Sequence, residues 1–251
     1  MIYQEFVPSL PLAPYIETYW TAHGNKAPQE SRKVLPDGCV DIILSLHPSA
    51  CSDFIPYRPT IVGTMTTFFN GSYTDEVHLV GIRFRPTGLT AFCQVPIYEF
   101  TDKRVDLTLV DSLFDESFCA VLPEIATTAE VIRHIDSYFV RKLKSIFIPE
   151  ARIVYSTNLI RQSKGRLPLD EVAFKSCLSL RHFERKFKEA VGVSPKTFSK
   201  VVKFQHTSNY LKVHKEISLL SIAIDCGYYD QAHLIKDFRA LSGDTPSYFR
   251  Q

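Results

Sequence analysis

The sequence predicts an α+β protein in two parts: a mixed β/α domain over residues 1–145 and an all-helical domain over residues 146–251. Three observations lead there. A short motif is written twice near the end of the chain, 51 residues apart at its phenylalanine, glycine and proline positions. Runs of β-branched and aromatic residues fill the first third, and helical spacing takes over beyond Gly88. The charge also divides. Residues 151–251 carry 17 Lys and Arg against 9 Asp and Glu, and residues 1–150 carry the other 12 against 18. A basic half behind an acidic half fits a nucleic-acid module joined to a part that does not bind nucleic acid.

Composition sets the bounds. With 251 residues, 45% hydrophobic and 22% charged, the chain has room for two ordinary globular domains. No stretch is long and apolar enough to cross a bilayer, so no membrane partner is expected. The N-terminus lacks the basic start and apolar run of a signal peptide. Cysteines 39, 51, 93, 119, 177 and 226 show no paired spacing, which points away from disulfides and zinc and toward a reducing cytoplasm. Catalytic triads, phosphate loops and dinucleotide fingerprints are missing from the sequence, so neither catalysis nor a cofactor is expected.

In chain order, Tyr15–Thr21 has strand composition, and Val34–Leu44 reads as a Pro-Asp-Gly turn feeding a second strand. Ile61–Thr66 is a third candidate, and Asn70-Gly71 is expected to close a hairpin between 66–69 and 72–74. His78–Phe84 follows as a strand. Leu89–Cys93 reads as a short helix, Thr101–Leu109 as a loop and Val110–Leu122 as a helix. Ala129–Leu143 has apolar residues at 131, 132, 135, 139 and 140, the spacing of an amphipathic helix. A helix over Ala151–Gln162 then leads into the repeat.

Each copy of the repeat reads as helix, turn, helix, over about 167–192 and 218–243. Ser179 and Asp230 are placed to accept from free amides at the start of the second helix of each copy. Phe183 and Phe187, and Leu234 and Phe238, fall four apart and share one buried face. The other faces carry Arg181, His182, Glu184, Arg185 and Lys188 in the first copy. In the second they carry Gln231, Ala232, His233, Ile235, Lys236 and Arg239. Donors of these types reach phosphates and base edges, so the pair is expected to read duplex DNA. Glu184 either accepts from a cytosine amino group or pairs with Lys188, and the pair is favoured. Between the copies, Ser194 and Pro195 open a helix of about 195–215, long enough to set both readers on one side of the duplex.

These residues resemble the AraC-type family of bacterial transcription regulators, whose DNA-binding domain joins two helix-turn-helix units by a long helix. In the first copy the match lies in Ala173, Ser179, Arg181, His182, Phe183, Arg185, Phe187 and Gly192–Pro195. In the second it lies in Ile222-Ala223, Gly227-Tyr228, Asp230-Gln231, Phe238, Gly243, Thr245-Pro246, Tyr248 and Arg250. Leu234, Lys236, Ala232 and Ile235 depart from the usual residues. The first half, through Val34–Asp41, Ile61–Gly63 and Gly81–Gly88, resembles an uncharacterised domain found ahead of such DNA-binding domains. The resemblance implies a sensing or oligomerisation domain, hence a possible small-molecule effector, a possible homodimer, and RNA polymerase as a partner if the chain is an activator. The alternative is a DNA-repair or other enzyme that borrows the same domain for targeting. A methyl-acceptor of that kind needs a four-cysteine zinc cluster that the spacings here do not supply.

For an effector, Arg83 and Arg85 stand at alternate strand positions and either clamp an anion or pair with Asp37 and Asp41. Trp20 either lines an apolar pocket or belongs to the core. His23, His47 and His78 stand apart without the cupin ligand pattern, so no metal is expected. Cys39 has no basic cluster near it in sequence and reads as a small hydrophobe.

Overall fold

A computed structural model describes residues 2–24, 32–47, 54–71, 77–110 and 113–250. Its first half contains β1 (Ile2–Phe6), β2 (Ile16–Gly24), β3 (Arg32–Val34), β4 (Val40–Ser45), β5 (Thr60–Val62), β6 (Phe69–Gly71), β7 (Val77–Phe84) and β8 (Arg104–Asp106). Six of these form one antiparallel sheet in the order β1-β2-β7-β4-β5-β8, and β3 pairs with β6 beside it. Alternation sorts the side chains. Ile42, Leu44, Val80, Ile82 and Phe84 enter the main core, while Ile43, Leu79 and Trp20 belong to a smaller cluster on the opposite face.

The main core is closed by α1 (Glu116–Val121) and α2 (Thr128–Lys142). Thr127 and Glu130 form a reciprocal capping box at the start of α2. Val131, Ile132, Ile135 and Phe139 are buried as the spacing predicts. Tyr138 is buried in place of Val140, its hydroxyl donating to Leu113 O at 2.6 Å.

Local signals misplace several elements. β5 ends at Val62, because Gly63 lies against the Phe100 carbonyl, where a Cβ would sit 1.9 Å away. The expected 66–74 hairpin does not form over its described part: Phe69–Gly71 pairs with Arg32–Val34 instead, and 72–74 lie outside the described residues. β1 and β8 were not legible. The segment read as a loop at 101–109 holds β8 and a 3₁₀ turn over Leu107–Leu109. The helix expected from Val110 starts at Glu116, where Asp115 accepts from Phe118 N at 2.9 Å. The short helix expected at 89–93 is a 3₁₀ turn over Gly88–Ala91.

The second half is helical: α3 (Ala151–Gln162), α4 (Leu169–Lys175), α5 (Leu180–Val191), α6 (Pro195–Val213), α7 (Leu219–Asp225) and α8 (Gln231–Ser242), with a final 3₁₀ turn over Pro246–Arg250. Phe183 and Phe187 pack with Val172, Ala173 and Phe198, and Leu234 and Phe238 pack with Ile222, Ala223 and Phe204. Burial of each such side chain stabilises by about 1.5–3 kcal/mol. α6 feeds both cores, through Phe198 and Val202 to the first and Phe204 and Leu211 to the second. The α4–α5 and α7–α8 turns share a left-handed residue, Cys177 (φ 54°) in one and Gly227 (φ 79°) in the other. In both, the next residue's amide reaches back five positions, Leu178 to Ala173 and Tyr228 to Ala223.

Candidate nucleic-acid interface and effector cavity

Ser179 and Asp230 cap α5 and α8 as their chemistry suggests, accepting from His182 N and His233 N. Each helix ends on a left-handed glycine, Gly192 or Gly243. Between those stops Arg181, Glu184, Arg185 and Lys188 are exposed on α5, and Gln231, Ala232, His233, Lys236 and Arg239 on α8.

Several expected partners differ. His182 is half-buried, with Nε2 enclosed and without a hydrogen-bond partner, because it lies on the flank of α5 beside the Phe183 face. Glu184 does not pair with Lys188, whose ammonium lies 5.5 Å from the centre of the Tyr98 ring in the first half. Arg185 pairs with Glu189 at 3.0 Å, and Lys186 reaches the same carboxylate at 3.9 Å. On α8, His233 lies 3.6 Å from Asp237, which is itself held by Lys200 of α6 at 3.0 Å.

A cavity of about 360 Å³ opens on the smaller face of the sheet, lined by Tyr3, Trp20, Lys33, Asp41, Phe69 and Arg83 among others. Register builds its floor. Arg83 stands opposite Asp41 across β7 and β4, and Trp20 opposite Gly81 across β2 and β7. Arg83 donates to both Asp41 oxygens at 3.1 and 3.0 Å and meets Asp37 at 3.0 Å, while Trp20 Nε1 donates to Asp41 at 3.1 Å. Burial first, and then the second carboxylate at Asp37, push Asp41 up to about 6 against the pull of Arg83.

The two arginines part company. β7 ends at Phe84, so Arg85 leaves the alternation and donates to Ala13 O at 2.7 Å. Trp20 and Arg83 therefore share the cavity and Arg85 does not line it. Cys39 does have a basic neighbour, brought by α3 from 122 positions away: Arg161 lies 3.2 Å from its sulfur. Burial, Asp37 and Glu17 still hold the thiol well above its usual range. Among the described residues, no three His, Cys, Asp or Glu groups gather as a metal set, and no helix is long and apolar enough to cross a membrane.

Residues 158–251 match the model of a helix-turn-helix domain, and residues 4–106 match a domain of unknown function (DUF6597). The chain carries an AraC-type helix-turn-helix domain. The chain is 29% identical over 93 residues to an uncharacterized HTH-type transcriptional regulator of Haemophilus influenzae, covering 37% of this chain and 31% of that protein. The chain thus spans about a third of that relative's length. Among solved structures it is similar to a probable AraC family transcriptional regulator from Rhodopseudomonas palustris CGA009, at 24% identity over 40% of this chain and 94% of that one, TM-score 0.37. It is also similar to ToxT from Vibrio cholerae O395, at 11% identity over 92% and 96%, TM-score 0.48.

Proposed function

We propose that this chain is a cytoplasmic transcription regulator that binds duplex DNA at a chosen sequence through α5 and α8. The observation that carries this reading is the pair of capped, exposed helices on a half with 17 Lys and Arg against 9 Asp and Glu. Arg181, Arg185 and Gln231 are assigned to base edges, and Ala232 to a thymine methyl group. Lys188, Lys236 and Arg239 are assigned to phosphates. His182 and Glu184 keep secondary roles at the edge of the contact, and His233 acts through its place beside Asp237.

The first half is the control element. Its cavity takes a small organic effector against Trp20, with Arg83 and its carboxylates presenting the polar floor. Arg85 is left out of this site, since it does not line the cavity. A homodimer formed through the first half, and RNA polymerase for an activator, complete the set of partners. No residue is assigned a catalytic step, and a DNA-repair or other enzyme that uses the same domain for targeting stands as the alternative reading.

The test is selection of bound duplexes from a random pool by the full chain. One recovered sequence, bound well above a shuffled duplex of the same length, supports the reading. Equal retention of both sinks it. Trp20 is the only tryptophan, so its fluorescence reports occupancy of the cavity during a metabolite screen.

A further inference from the structure

The first half does not merely sit beside the AraC-type domain. It holds the carboxyl ends of both recognition helices. At the end of α5, Thr64 Oγ1 donates to Val191 O at 2.6 Å and Thr101 Oγ1 donates to Gly192 O at 2.7 Å. At the end of α8, Thr67 Oγ1 donates to Ala240 O at 2.9 Å and Lys33 Nζ meets Asp244 at 2.5 Å. The last carbonyls of a helix have no partner inside it, and here hydroxyls of another domain supply one. Lys33 also brings a cation to the negative end of the α8 dipole.

The two glycine stops fit the same purpose. A Cβ on Gly192 would sit 3.0 Å from Thr64 Oγ1 and 3.2 Å from Thr101 Oγ1. A Cβ on Gly243 would sit 2.7 Å from the Phe68 ring. Both helix ends are therefore in van der Waals contact with the 64–68 segment or its neighbours. The amino-terminal halves, with Arg181, Gln231 and Ala232, stay exposed. The grip leaves the reading ends open while it ties their far ends together.

We propose that Thr67, Lys33, Thr64 and Thr101 are specificity-determining residues that set which spacing between two half-sites the protein accepts. This rests on the reading of α5 and α8 as DNA readers. α6, together with Arg166, which donates to Asp225 O at 3.3 Å, joins the two units, and the first half links the carboxyl ends of α5 and α8. Lys33 and Phe69 also wall the cavity, so an occupant there bears on the same grip.

The experiment selects duplexes in which two fixed half-sites are separated by randomised lengths. It uses the full chain, the pair Lys33→Met with Thr67→Val, and the reciprocal Asp244→Asn. Thr67 is exposed and Lys33 half-buried, and thermal melts confirm folding of each variant. The parent chain is expected to prefer one spacing. The double variant is expected to lose about tenfold of that preference over spacings one base pair away, as loss of two polar links implies, and Asp244→Asn, which loses one, about threefold, while each half-site keeps its sequence. Identical spacing profiles overturn the proposal. If the parent chain selects no sequence at all, the DNA reading itself fails. The grip is then judged by spin-label distances between α5 and α8: a broader distribution in the variants supports it, and an unchanged one overturns it.

Discussion

Arg181 and Arg185 lie one turn apart on α5 and are both exposed, yet they are not equivalent. Arg181 forms no ion pair among the described residues, so its guanidinium meets DNA without first leaving a partner. Arg185 must give up Glu189, an exposed pair at 3.0 Å whose usual worth is about 0.3–0.5 kcal/mol. A bidentate guanidinium contact to a base contributes about 1–3 kcal/mol of discrimination. Arg181→Ala is therefore expected to weaken the selected duplex by about fivefold to 150-fold, at tenfold per 1.4 kcal/mol. Arg185→Ala is expected to cost about twofold less, and Glu189→Ala to tighten binding by about twofold, through release of that pair. Anisotropy titrations against the selected duplex and a shuffled one, at several salt concentrations, separate the roles. Removal of a phosphate contact such as Lys236 lowers the salt slope by about one and weakens both duplexes alike. If Arg181→Ala weakens the shuffled duplex as much as the selected one, Arg181 is not reading bases and the assignment of α5 is wrong.

Two further outcomes concern the cavity. Asp41 is raised from 3.8 to about 6, in a cluster where it and Asp37 share one guanidinium, so the folded state holds a proton there more tightly than the unfolded chain. That stabilisation is complete below the unfolded value and is lost as pH rises through 6; Asp41→Asn should flatten the slope of stability between pH 4 and 6, and Trp20-monitored melts with the parental slope would refute it. Gly81→Ala would set a Cβ 2.0 Å from the Trp20 indole, forcing the ring off Asp41 at a cost of about 1–3 kcal/mol; unchanged melting and Trp20 emission would show that the ring is not seated as described.

The helical half was legible because its signals are local. Capping by Ser179 and Asp230, four-residue spacing of Phe183 with Phe187, and Pro195 after Ser194 each act within one or two turns. The first half was legible only where strands are long. β2, β4 and β7 carry enough residues to show composition or alternation, whereas β5, β6 and β8 have three residues each and exist through their partners. The same limit governs the sites. The resemblance and the helix faces point to Arg181 and Gln231, but neither reveals that Lys188 turns to Tyr98, 90 positions away. The Arg83–Asp41 pair was among the alternatives, since both lie in motifs of one domain. Arg161 beside Cys39 joins two domains, and no spacing rule anticipates it.

The placement of the acidic half follows from these contacts. A domain with 18 Asp and Glu against 12 Lys and Arg is repelled by phosphates, so its best position is away from the reading ends of α5 and α8. The opposite ends of the same helices carry unpaired carbonyls and the negative pole of each dipole, surfaces that repel DNA as well. Hydroxyls from Thr64, Thr67 and Thr101 satisfy those carbonyls without adding charge, and Lys33 supplies the cation where Asp244 needs one. Docking there keeps both negative surfaces off the duplex and against one another through neutral donors. It also closes a triangle whose first side is α6, 19 residues or about 28 Å at 1.5 Å per residue. α6 and the Arg166–Asp225 contact join the units on one side, and a further link between the far ends makes bending at one core require movement at the other. The charge split seen in the sequence and the glycine stops seen in the fold thus serve one arrangement: a basic reader held from behind by an acidic domain.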